Sequence, residues 1–89
     1  QDDLGMDLLM EQIQLRESLE QISNDESALS QLDDLKSRVR DKVSQCELTF
    51  GINLEGKDYS GAKGLFHEMQ FLYKLLSEID MIEERQLGY

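Results

Sequence analysis

Apolar residues recur in steps of three and four along three long segments of this chain, and two short polar breaks separate them. That period places them on one side of an α-helix, which advances about 100° per residue. No strand-like alternation is present, and the chain contains no proline to break a helix. The pattern predicts an all-α fold with helices from about Asp3 to Ile22, from about Glu26 to near Asn53, and from about Tyr59 to Gln86. Short turns make successive helices antiparallel, so the expected architecture is an up-down-up three-helix bundle. The 89 residues make a single domain, residues 1–89. At this size roughly 60–65 % of the unfolded surface is buried, a modest core.

The first helix is unusual in having two apolar stripes. Leu4, Leu8, Leu15, Leu19 and Ile22 fall on one face; Met6, Leu9, Met10 and Ile13 fall nearly opposite. A surface helix needs one such stripe to face a core. The second helix has one, formed by Ala28, Leu29, Leu32, Leu35, Val39, Val43, Cys46 and Phe50, with Leu48 and Ile52 off it. The third places Ala62, Leu65, Phe66, Met69, Leu72, Tyr73, Leu76 and Ile79 on its core face. Phe71 lies more than about 90° from the centre of that face, with Leu75 and Ile82 toward the same edge.

Ser23-Asn24-Asp25 breaks the first helix, and each of these can cap the second. In Leu54 to Asp58, Gly56 is expected to take a positive φ and Asp58 to cap the third helix. Gly61 and Gly64 are weak helix formers, and with Ala62 their small size suggests close helix packing.

The net charge is −10, and the first 34 residues hold ten acids against the single base Arg16. Nucleic acid is disfavoured, because phosphates require a basic footprint. Anionic membranes are disfavoured for the same reason, and no run of ~20 apolar residues exists to span a bilayer. Lys36, Arg38, Arg40 and Lys42 form the one basic cluster, interleaved with Ser37, Val39 and Asp41, and read as a solvated helix face. Cys46 is the sole cysteine. It excludes an internal disulfide and a multi-Cys metal site, and its phase suggests a buried, unreactive thiol in a reducing compartment.

No catalytic constellation is evident, so the expectation is a non-enzyme with no catalytic residues, no metal ligands and no cofactor. His67, the only histidine, falls on the polar side of the third helix. A di-iron bundle needs Glu three residues before a His, and position 64 is Gly. The Gly-Ala-Lys-Gly stretch lacks phosphate-loop spacing, and no calcium-loop spacing occurs. The carboxylates come as pairs expected at the surface, such as Asp33-Asp34 and Glu83-Glu84. Binding remains. The outer stripe of the first helix, with Gln14 and Glu17 beside it, fits either a partner protein or sequence outside this chain. Phe71 can extend it across the groove between first and third helices as an aromatic anchor.

The segments LLMEQIQLRESLEQI, the Asn-Asp-Glu turn, RVRDKV and EMQFLYKLLSEI resemble the C-terminal domain of the HscB family, J-type co-chaperones of iron–sulfur cluster biogenesis, with the likeness nearest to bacterial forms. The resemblance covers essentially the whole chain. It implies a three-helix bundle that holds an IscU-type scaffold protein, belonging to a longer co-chaperone whose J-domain engages an HscA-type Hsp70. That J-domain's His-Pro-Asp motif is absent here, since the chain has no proline. The residues it implies for scaffold binding are Leu9, Met10, Ile13, Gln14, Glu17 and Phe71. At Gln14 and Gln21 the family often carries an acid, so the rim is less acidic here. The implied location is the bacterial cytoplasm, or the mitochondrial matrix in a eukaryote. The rival expectation is a structural or oligomerising bundle, with weak self-association through the outer stripe.

Overall fold

The computed structural model describes residues 2–88, with side chains from residue 5 onward. Three helices follow one another: α1 (Asp2–Glu20), α2 (Ala28–Glu55) and α3 (Tyr59–Gln86). Among the described residues there is no strand. This is the expected all-α, up-down-up bundle. Lys36 meets Glu83 while Glu47 meets Tyr73, and Glu11 meets Lys42 while Ser23, just past α1, meets Gln31, so both successive neighbours run antiparallel. Gln12 reaches Glu68 and Arg16 reaches Glu78, so α1 and α3 run parallel. The bundle measures 47 × 23 × 15 Å, one long helix in length. At 19 residues α1 is about 28 Å long, shorter than its 28-residue neighbours. The α2–α3 hairpin is the main packed pair, and α1 lies along it.

Helix boundaries follow local hydrogen bonding. α1 stops at Glu20, two residues before the expected Ile22. α2 starts at Ala28 rather than Glu26, because Asp25 Oδ1 accepts from the Ser27 amide at 2.9 Å and its hydroxyl at 2.7 Å, making a separate turn first. The end of α2 corrects the expectation for Gly56. Gly56 has φ −82°, and Lys57 takes the left-handed conformation at φ 61°. The amides of Lys57 and Asp58 donate back to the carbonyls of Leu54 (3.1 Å) and Asn53 (2.8 Å). That pair of bonds is a Schellman closure, and its left-handed position falls one residue after the glycine. Asp58 then caps α3 as expected, accepting from the Gly61 amide at 3.0 Å. Gly61 is small for this reason: a Cβ would stand 2.4 Å from the Asp58 carboxylate and 3.0 Å from Asn53. Gly64 has open space around its Cα, so close helix packing is not its role.

Leu15 and Leu19 of α1, Leu32, Leu35, Val39 and Val43 of α2, and Leu72, Leu75 and Ile79 of α3 form the core. Ile22 and Leu8 are half-buried, and the side chain of Leu4 lies outside the described residues. On α2, Leu29 is exposed, while Cys46 and Phe50 are only half-buried. On α3 the buried arc is rotated from the expected one. Leu75 is fully buried, whereas Phe66 and Tyr73 are exposed. The cause is that α3 packs against two helices. Its buried face turns toward α1, drawing in Leu75, Phe71 and Ile82 and releasing the opposite edge.

Among the described residues one basic side chain ties each pair of helices: Lys42 to Glu11 at 2.7 Å, Arg16 to Glu78, and Lys36 to both Asp80 (3.2 Å) and Glu83. Lys36 and Lys42 are therefore engaged rather than solvated, and Glu83 is half-buried with Lys36; Arg38 and Arg40 are exposed, as the basic-face reading expects.

Candidate functional site

The inner leucines fix the rotation of α1. With Leu15 and Leu19 in the core, residues about half a turn round must face water. Met6, Leu9, Met10 and Ile13 are 62 %, 56 %, 53 % and 44 % exposed. Polar clamps on the α3 side hold that rotation. Gln12 Nε2 donates to Glu68 Oε1 at 2.7 Å, and the Arg16 guanidinium forks onto both Glu78 oxygens. Its hydrogen bond to Glu78 raises Arg16 above its ordinary range, and the same bond holds the Glu78 carboxyl below its own.

Leu9, Gln12, Ile13, Arg16 and Glu17 of α1 and Phe71 of α3 line one shallow groove of about 260 Å³. Phe71 is not the outward residue that its phase implies. It is half-buried, packing on the core cluster while still lining the groove. Of the six residues read from sequence, the structure brings together Leu9, Ile13, Glu17 and Phe71. Met10 and Gln14 are exposed but lie further round α1, away from α3, and do not line the groove. Gln12 and Arg16 were missed. Their signal was available in phase: both fall between the two stripes of α1, on the side of Leu9 and Ile13.

The result is a mostly apolar floor with donors from Gln12 and Arg16 and an acceptor from Glu17 at the rim. Arg16 is already neutralised by Glu78, so the surroundings stay acidic. Such a groove can receive one or two apolar side chains from a protein partner. Among the described residues Glu68 is the one buried charged residue, and it was not foreseen; its carboxylate accepts from Gln12. Burial raises the Cys46 thiol, which keeps it protonated and a poor nucleophile near neutrality. Among the described residues no three of His, Cys, Asp and Glu are placed to hold a metal ion, and no helix is long and apolar enough to cross a membrane.

Residues 4–80 match the family model described as the HSCB C-terminal oligomerisation domain. The chain belongs to this family. It is 34 % identical over 80 residues to a co-chaperone protein HscB homolog of Vibrio vulnificus, covering 90 % of this chain and 47 % of that protein. It is 32 % identical, with the same coverage, to one of Vibrio campbellii. The chain thus spans about half the length of the curated relatives it matches. No solved structure matches it.

Proposed function

We propose that this chain is the C-terminal, scaffold-binding domain of a longer iron–sulfur co-chaperone. It docks an IscU-type scaffold in the α1–α3 groove, so that a J-domain elsewhere in the protein presents that scaffold to an HscA-type Hsp70. The domain's own work is binding, not catalysis. The bacterial cytoplasm is the proposed setting, and the mitochondrial matrix is its counterpart if the source is eukaryotic. The observation that carries this reading is that Phe71 lines the same groove as Leu9 and Ile13, although 58 residues separate Ile13 from Phe71. Burying Leu9, Ile13 and Phe71 supplies roughly 1–3 kcal/mol each. The patch is small, which fits a transient contact of about micromolar strength. Met10 and Gln14 sit at its outer rim. Calorimetric titration of an IscU-type scaffold into the domain tests the reading: micromolar binding that weakens more than tenfold in Leu9→Ala/Ile13→Ala supports it, and unchanged affinity opposes it.

The family description also names oligomerisation. It supports a second reading for this chain, weak self-association, which is compatible with scaffold binding if it uses another face.

A further inference from the structure

Gln12 sits where the two faces of α1 meet. It is half-buried, lines the groove, and donates through Nε2 to Glu68 Oε1 at 2.7 Å. Glu68 is only 3 % exposed, so this bond lies inside the bundle. A carboxylate only accepts hydrogen bonds, whereas a side-chain amide both donates and accepts, so the NH2 end of Gln12 is the end turned to Glu68. Two acceptors repel, so the N–H used is the one anti to the carbonyl, and the planar amide then aims its C=O away from the carboxylate. Among the described residues nothing donates to Gln12 Oε1, and no buried side-chain polar atom is left without a partner, so solvent reaches this oxygen. The opening at Gln12 is the groove it lines. The second N–H stays beside the carbonyl, so the groove holds a fixed acceptor next to its donor.

The character of this acceptor selects the group that meets it. It is neutral and shares the groove with Leu9, Ile13 and Phe71. A cationic donor settles on the Glu17 carboxylate, where a charge-assisted bond is stronger. A neutral N–H carried in beside an apolar side chain loses its water and must find an acceptor in the groove. The main chain supplies such an N–H next to nearly every side chain. We propose that Gln12 Oε1, held outward by Glu68, accepts a main-chain N–H from the scaffold segment whose apolar side chain enters the groove. Gln12 is then a contact residue, and Glu68 is a positioning residue that never touches the scaffold. The proposal rests on the docking reading above and adds a chemical requirement to apolar burial. The docked segment must bring an N–H not already spent in its own structure, so it is a loop, an edge strand or a first helical turn rather than a helix interior.

Calorimetric titration of an IscU-type scaffold into the parent and two variants, each with a thermal melt, tests the assignment. Gln12→Met/Glu68→Met removes both the bond and the acceptor at nearly constant volume, so the melt should stay within a few degrees. Affinity should fall at least about fivefold. The factor should be the same at about 50 mM and about 500 mM salt, because both groups in the lost bond are neutral. Gln12→Glu/Glu68→Gln reverses the bond and leaves a carboxylate oxygen toward the groove, so affinity should return to within about threefold of the parent. Independently of any variant, the carbon-13 signal of the Gln12 side-chain carbonyl should move downfield when scaffold is added. An unmoved signal, or parental affinity in Gln12→Met/Glu68→Met, overturns the assignment to Gln12. A reversed pair that binds no better than the double methionine variant overturns the positioning role of Glu68. A loss that shrinks severalfold at high salt overturns the main-chain donor in favour of a cationic one. No binding by the parent, or parental affinity in Leu9→Ala/Ile13→Ala, overturns the docking reading itself.

Discussion

Two faces of α1 use the same chemistry for opposite ends. Leu15 and Leu19 are 1 % and 8 % exposed, whereas Leu9 and Ile13, on the turns just before them, are 56 % and 44 % exposed. All four are aliphatic, so hydrophobicity alone does not decide what each contributes. Neighbours decide it. The inner pair meets the α2–α3 hairpin, which offers only enough apolar surface to cover one side of α1. The outer pair faces water and shares its groove with Phe71. The inner face should therefore govern stability and the outer face binding, with Phe71 contributing to both because it packs on the core and lines the groove.

The largest expected effect is on the inner face. Leu15→Ala should cost about 2–5 kcal/mol of unfolding free energy, read from urea denaturation. A loss under ~1 kcal/mol would mean that α1 is not held by its core leucines. Phe71→Ala should come next, costing about 1–3 kcal/mol in stability and weakening scaffold binding as well. If only one of the two changes, Phe71 belongs to one face and not both. Gly51→Ala separates hairpin from groove. With open space around the Cα, it should raise stability by roughly 0.5–1 kcal/mol without altering binding.

The smallest effect concerns the clamp. The folded Glu78 carboxyl lies below its ordinary value of 4.5, so its contribution is present above that value and lost as pH falls through the folded one. The pair is partly exposed, so it contributes only about 0.2–1 kcal/mol. Glu78→Gln should lower stability by that amount at pH 7 and make the loss on acidification below about pH 4.5 shallower. An unchanged acid profile would show that Arg16 is not held through Glu78.

The fold was legible because helical periodicity is repeated over many turns. The spare stripe of α1 was legible for the same reason: an inner stripe of Leu8, Leu15 and Leu19 forces Leu9 and Ile13 outward wherever the neighbours stand. What phase cannot fix is which side of a helix its second neighbour occupies. Phe66 and Tyr73 were expected in the core and Leu75 at its edge. The reverse holds because α3 turns toward α1, a consequence of bundle geometry rather than of the α3 sequence. Long-range polar pairs were hidden for a similar reason. Nothing near Glu68 in sequence indicates Gln12, and nothing in Lys-Ser-Arg-Val-Arg-Asp-Lys reveals that Lys36 and Lys42 reach acids on other helices. The left-handed residue at Lys57 was masked by the adjacent Gly56, the residue type that normally takes that position.

The outer face of α1, proposed as a binding surface, stands outside the core. Calorimetric titration of an IscU-type scaffold into Leu9→Ala/Ile13→Ala, paired with a thermal melt of the same protein, tests that proposal most directly. The expected result is affinity reduced by more than tenfold with the melting temperature within a few degrees of the parent. Undiminished binding in a folded variant, or a melt that collapses with the substitutions, would contradict it.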